Sequence, residues 1–285
     1  MIDFAASADE AGERLDVIAA RHINTSRSFI KKLGDENKIK VDGEHVKAGF
    51  KLRGGERITI AFDPTELDQI PDIDIPVIYE DDDCIVINKP VGTLTHSKGV
   101  YNPEATVATF LRSRINNMDG ERAGIVHRLD RATSGAMICA KNSNALHWLQ
   151  KQFSLRKVKK TYIAIIAGTI EPIHALIDMP IERNPKAPAT FRVGSNGKPA
   201  TTEYKVEKSS EHYSLIILTP TTGRTHQLRV HLKHLGHPIL GDTIYGGEPA
   251  ERLFLHAQSL EITLPNRERK IFTAPLPKEF YMKIK

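Results

Sequence analysis

The stretch His127-Arg128-Leu129-Asp130-Arg131-Ala132-Thr133-Ser134-Gly135 crowds charge and hydroxyl groups between two apolar runs. Ala123-Gly124-Ile125-Val126 precedes it and Ala136-Met137-Ile138-Cys139-Ala140 follows. Short apolar runs split by a polar, Gly-ended segment read as strand, loop, strand. Asp130 then sits in a loop clamped at both ends by buried structure, which is how a scaffold presents a reactive group. A single loop aspartate is ordinarily a solvated turn residue, so its role must be argued from the rest of the chain.

With 285 residues, 40% of them hydrophobic and 26% charged, the chain has the composition of a soluble globular protein of one large domain or a large and a small one. No apolar run approaches the roughly 18 residues that a membrane span needs. Met1–Glu10 has neither a basic start nor an apolar core and does not read as a signal peptide. Cys84 and Cys139 lie in separate apolar runs and read as buried, reduced thiols of a cytoplasmic protein. Charge is uneven. Residues 1–60 carry 11 basic and 10 acidic groups, residues 61–83 carry 9 acidic and no basic ones, and residues 84–285 carry 29 basic and 16 acidic ones. The last segment favours a polyanionic partner through counterion release.

Residues 1–62 read as a small α+β module. Ser26-Arg27-Ser28 can cap a helix bearing Phe29, Ile30 and Leu33, Asp42-Gly43 marks a hairpin, and Arg57-Ile58-Thr59-Ile60 alternates as a strand. Residues 63–76, with Pro64, Pro71, Pro76 and no basic residue, read as a linker. Residues 77–285 form the second domain, rich in strands.

In that domain Cys84-Ile85-Val86-Ile87 is a strand that runs into a loop at Asn88-Lys89-Pro90-Val91-Gly92. Ala145, Leu146, Leu149 and Phe153 follow helix spacing, with Asn142 or Ser143 as the cap. Thr161-Tyr162-Ile163-Ala164-Ile165-Ile166 is a buried-type strand behind the basic cluster Arg156–Lys160. Gly197–Tyr204 and Tyr213–Leu218 read as two antiparallel strands. In Thr222-Gly223-Arg224-Thr225-His226-Gln227-Leu228-Arg229-Val230-His231, Leu228, His231, Leu232 and Leu235 share one helix face, and Arg229 projects from another. His226, His231, His234 and His237 scatter round that helix rather than converge, so no metal site is expected.

Together these blocks resemble the RluA-type pseudouridine synthases. The resemblance rests on His127–Asp130 with Thr133-Ser134-Gly135, on Lys89-Pro90-x-Gly92, on Lys160-Thr161-Tyr162-x-Ala164, on Thr222–His231 continuing to Gly241-Asp242-Thr243-x-Tyr245-Gly246, and on Leu255-His256-Ala257. Asn184–Phe191 is less basic than the family pattern. Through Arg14-Leu15-Asp16, Ser26-Arg27-Ser28, Val41-Asp42-Gly43 and Leu52-Arg53-Gly54-Gly55-Glu56, residues 1–62 resemble the small RNA-binding domain named after the fourth small-subunit ribosomal protein. That domain usually has a Gly before its first strand, where Asn37 can take the left-handed conformation instead. The resemblance implies an α+β fold with a large mixed, mainly antiparallel sheet. It implies conversion of RNA uridine to pseudouridine without cofactor or metal, large-subunit ribosomal RNA as partner, and a monomeric cytoplasmic enzyme. Asp130 is then the catalytic residue, acting at C1′ as nucleophile or at C2′ as base. Arg229 pairs with it and favours its carboxylate form, and Tyr162 packs against the target base. Leu255 lines the base pocket, Arg128 serves flipping, and His127, Arg224 and Lys89 complete the substrate contacts. Transfer RNA is the alternative substrate. The rival classes are an inactive RNA-binding or ribosome-assembly factor and a hydrolase using Asp130. The hydrolase needs a second carboxylate or a metal.

Overall fold

The structure, a computed structural model, describes residues 1–23, 25–63, 73–96, 104–115, 118 and 124–284. Residues 64–72, most of the expected linker, and Ala123 lie outside the described residues. The chain divides into two compact units, Met1–Ile73 with His96–Thr109, and Asp74–Thr95 with Phe110–Lys285.

In the first unit β1 (Ile2–Ala5), α1 (Leu15–His22), α2 (Arg27–Asp35), β2 (Ile39–Val41), β3 (Glu44–His45) and β4 (Arg57–Ile60) form two helices and a sheet of order β1-β4-β2-β3. The Ser26 hydroxyl accepts the Phe29 N–H at 3.3 Å and caps α2. Ile30 and Leu33 are buried with Leu15, Ile18, Ile58 and Ile60. Asn37 has φ 56°, and the β2–β3 turn carries φ 50° at Asp42 and 86° at Gly43, the conformation that favours Asp-Gly in tight hairpins.

The second unit follows with β5 (Val77–Glu80), β6 (Cys84–Lys89), β7 (Ser134–Ala140), α4 (Ser143–Ser154), β8 (Lys159–Ala167), β9 (His174–Asp178), β10 (Ile181–Arg183), β11 (Phe191–Val193), β12 (Thr201–Ser209), β13 (Tyr213–Pro220), α5 (Gln227–His234), β14 (Leu255–Thr263), β15 (Arg269–Thr273) and α6 (Lys278–Lys283). The short α3 (Val107–Leu111) straddles Thr109, where the sequence passes between units. Among the described residues the main sheet has order β5-β6-β7-β14-β8-β13-β12-β9, with β15 added on β14. β7 and β14 run parallel and every other neighbour pair is antiparallel. This is the α+β, mainly antiparallel architecture expected. β12 begins at Thr201 rather than Gly197, because Lys198 instead exchanges backbone hydrogen bonds with Ile181 of β10.

α4 covers β6, β7 and the distal half of β14 through Ala145 and Leu149, with Asn142 capping it by accepting the Ala145 N–H at 2.9 Å. α5 packs Leu228 and Leu232 on Ala164, Ile166, Ile216 and Leu218. Two cores thus meet where β7 passes β14, and the loop that carries Asp130 enters β7 there. The crossing is tight. Gly135 has φ +120°, and a Cβ at that position would lie 2.2 Å from the Ala257 carbonyl oxygen.

Buried polar groups pin the same junction. Arg252 donates to the Ser134 hydroxyl. His256 turns its Nε2–H to the Ala274 carbonyl at 3.5 Å and, as a neutral ring, accepts at Nδ1 from the Ser134 hydroxyl, 2.8 Å away. Burial pushes its pKa down to about 4 against opposition from the Ala274 carbonyl. Below the ordinary histidine pKa of about 6.5 the unfolded chain binds a proton that folded His256 does not. Stability is therefore lost as pH falls from about 6.5 to about 4, by roughly 1 kcal/mol per pH unit for this group. In urea denaturation across that range His256→Asn should flatten the pH dependence. Parallel curves for variant and wild type would mean that folded His256 takes up the proton.

Candidate active site

Leu129, just before Asp130, is buried, and its backbone is held on both sides by one hydroxyl. Thr95 Oγ1 donates to the Leu129 carbonyl at 2.8 Å and accepts its N–H at 3.3 Å. Past Asp130, the Arg131 carbonyl accepts the Gly92 N–H at 2.8 Å and lies 3.4 Å from Lys89 Nζ. The Thr133 N–H closes a turn on the Asp130 carbonyl at 3.0 Å. The loop is fixed by backbone hydrogen bonds, and the Asp130 carboxylate is left facing a cavity.

That cavity, about 120 Å³, is lined by the Asp130 loop, by Lys160 and Tyr162 of β8, by the segment from Pro220 into α5, and by Leu255 of β14. Arg128, Asp130, Tyr162, Arg224, Arg229 and Leu255 meet there. His127 and Lys89, expected among the substrate contacts, do not line it. Lys89 is wholly buried, and its amine donates to the carbonyls of Pro90 at 3.0 Å and Thr93 at 2.8 Å. Burial pushes its pKa down to about 7, opposed by Asp130. His127 accepts the Ile138 N–H at 3.1 Å and stacks on Phe153, so its ring is spent on holding β7. Burial, with Lys160 nearby, lowers its pKa to about 3.

Arg229 stands where expected but with a different first partner. Its Nε and Nη2 make a two-pronged contact with Asp242, both bonds at 2.7 Å, and only Nη1 remains toward Asp130, at 3.6 Å. Asp242 is 1% exposed and Arg229 4%, so neither charge has water to compensate it. The Tyr245 ring lies 4.9 Å from the guanidinium carbon. Burial alone would lower the Arg229 pKa, but the Asp242 hydrogen bonds and charge outweigh it and the net shift is upward. Gly241 lets Asp242 into place: at φ +82°, a Cβ there would lie 1.8 Å from the Arg252 carbonyl oxygen.

His226 precedes α5 in the left-handed conformation, φ 56°, with Nδ1 2.8 Å from the Tyr245 hydroxyl and Nε2 3.8 Å from Asp130 Oδ2. Burial lowers its pKa, with Asp130 opposing. Gln227 ties the same segment down. Its Oε1 accepts from Thr222 Oγ1 at 2.7 Å and from the Arg224 N–H at 2.9 Å, while its Nε2 donates to Thr201 and Thr202, each at 3.0 Å. His231 is spent on Thr202 and the Met179 carbonyl, each at 3.0 Å. The phenol of Tyr162 is pushed up by burial and by Asp130, so it stays protonated in the physiological range.

A tethered carboxylate, a clamped guanidinium, an aromatic face and an aliphatic wall thus surround a space sized for a small flat group. The family model for RNA pseudouridylate synthase matches residues 83–234, a span that includes Asp130, Tyr162 and Arg229. The chain belongs to the RNA pseudouridylate synthase family. Members of that family isomerise uridine in RNA to pseudouridine, and this synthase is such an isomerase. It is 42% identical over 256 residues to an uncharacterized RNA pseudouridine synthase of Aquifex aeolicus, covering 86% of this chain and 80% of that one. It is 38% identical over 285 residues to the ribosomal large subunit pseudouridine synthase D of Borreliella burgdorferi, covering 94% and 87%. The solved structure of human RNA pseudouridylate synthase domain containing 1 superimposes with a TM-score of 0.60 at 31% identity, covering 71% of this chain and 83% of that one.

Asp242 is the site residue whose importance only the structure makes visible. Asp242→Asn should cost about 3–5 kcal/mol, since it leaves Arg229 buried without a counter-charge, and should lower turnover even at a temperature where the variant is folded. Denaturant unfolding together with single-turnover kinetics checks both. A variant of wild-type stability would mean that Arg229 finds its compensation elsewhere.

Proposed function

We propose that Asp130 is the catalytic residue of this synthase and that its substrate is large-subunit ribosomal RNA. The observation that carries the first part is the meeting of Asp130, Tyr162, Arg229 and Leu255 on one cavity wall. Asp130 acts on the sugar of the target uridine, at C1′ as nucleophile or at C2′ as base. Arg229 holds that carboxylate in place from a helix that Asp242 anchors. The uridine leaves its stack, at a cost of a few kcal/mol, and Tyr162 and Leu255 receive it. Arg128, exposed at the cavity rim, takes part in that flipping. Arg224 donates Nε to the Pro199 carbonyl at 2.9 Å and serves the strand at the cavity mouth.

An adjoining cavity of about 460 Å³ shares Gly223, Arg224 and Thr225 with the first and adds Arg183, Phe191 and Lys198. Cationic and aromatic groups in that order suit RNA flanking the target. The ribosomal substrate rests on relatives named as large-subunit synthases; transfer RNA is the alternative that mapping tests. We further assign residues 1–62 to RNA docking, 63–76 to a linker and 77–285 to catalysis, in a monomer working in the cytoplasm. Among the described residues no helix is long and apolar enough to cross a membrane.

Asp130→Asn should lower turnover by at least about 10³-fold, as loss of a group acting directly on the reacting centre does, with RNA affinity and melting temperature near wild type. Tritium release from RNA labelled at uridine C5 measures it, and pseudouridine maps of RNA from cells with and without the gene identify the substrate. Turnover within tenfold of wild type would remove Asp130 from the chemistry.

A further inference from the structure

Among the described residues, four lysine and arginine side chains line the Asp130 cavity: Arg128, Lys160, Arg224 and Arg229. Arg229 is committed to Asp242, Arg224 to Pro199, and Arg128 is exposed. Lys160 is placed differently. It lies on β8 two residues from Tyr162, so both side chains leave the strand on the face that lines the cavity. Its Nζ donates to the Thr222 carbonyl at 2.9 Å. An ammonium has three N–H donors, and that bond uses one.

The reaction creates a charge that such a group fits. When the N1–C1′ bond breaks, its electron pair leaves with the base, and the negative charge spreads onto O2 and O4 of the uracil ring. The ring must carry that charge while it turns. C5 then bonds to C1′, the C5 proton departs, and N1 takes up a proton, so the product is an isomer of the substrate. Hydrogen-bond donors already held at a developing negative charge, in a site that excludes water, are among the largest contributions an enzyme makes.

We propose that Lys160 is the cation that stabilises the detached uracil anion, donating to a ring carbonyl oxygen while Tyr162 covers the ring face. The proposal rests on the reading of Asp130 as the residue acting on the sugar. Burial lowers the Lys160 pKa to about 8, which still leaves it mainly an ammonium at neutral pH. A purely structural Lys160 would do no more than fix the loop after β13 through Thr222. A variant that keeps that bond and removes the charge separates the two roles.

The test uses the full chain and a transcript on which the wild type is active, made with uridine or with 5-fluorouridine. Fluorine makes the detached ring a weaker base, so its anion needs less stabilisation. A fluorinated C5 has no proton to lose after it bonds to C1′, so single-turnover conversion is followed on both RNAs as loss of the N1-linked nucleoside from the digested RNA, and binding by filter retention. Lys160→Gln, which retains an N–H for the Thr222 carbonyl, and Lys160→Met should each lower the rate on uridine by about 10²-fold. The loss on 5-fluorouridine should be much smaller, with RNA affinity unchanged. Wild-type rates for Lys160→Gln would overturn the proposal, as would equal losses on the two RNAs. Asp130→Asn is run alongside. If it still converts uridine, the reading of Asp130 fails; if it is inactive while Lys160→Gln is not, only the role of Lys160 fails.

Discussion

The buried fork between Arg229 and Asp242 is the interaction on which the site depends. Taking two charges out of water costs several kcal/mol each, and a buried pair recovers this only with close geometry and its remaining valences satisfied. The geometry here is close. The two bonds are 2.7 Å, Asp242 Oδ1 also faces the Tyr245 N–H at 3.3 Å, and the Tyr245 ring supports the guanidinium. Hydrophobic residues of the same size could fill this volume, but they would put no cation beside Asp130. The pair is thus better explained as a device for orienting charge than as a source of stability.

The sheet brings the other parts to that charge. One parallel pairing, β7 with β14, sits inside an otherwise antiparallel sheet, and it sets the Asp130 loop beside Leu255 at the start of β14. β8 lies on the other side of β14 and supplies Tyr162 and Lys160. Because Gly135 and Ala257 pass so closely, and Ser134 is tied to Arg252 and His256, the entry to β7 has little freedom. A loop held this way supplies a carboxylate whose position is set before substrate arrives.

Much of this was legible from local sequence. A cap within Ser26–Ser28, a cap at Asn142 or Ser143 and a hairpin turn at Asp42-Gly43 each follow from a side chain's relation to its own backbone, and the structure uses Ser26 and Asn142. The Asp130 loop was legible from the apolar runs beside it. The surroundings that local sequence did not reveal depend on partners distant in sequence. Lys89 was expected among the substrate contacts, and three carbonyls from the surrounding loops enclose its amine. His127 belongs to a strand backbone eleven residues on. Thr95 and Gln227 act through backbone groups of other segments, the Leu129 and Thr201 carbonyls, and no periodicity records that. Asp242 lay inside a recognised motif, yet only packing reveals that it, and not Asp130, takes the fork of Arg229.

The most direct test of this account is a crystal structure of the synthase with an RNA whose target uridine is replaced by an unreactive analogue. The account predicts the flipped sugar with C1′ or C2′ about 3–3.5 Å from an Asp130 oxygen, the range of a near-attack geometry, and Arg229 still forked on Asp242. A nucleotide bound with Asp130 turned away from the sugar, or Arg229 released from Asp242 to bind RNA, would contradict it.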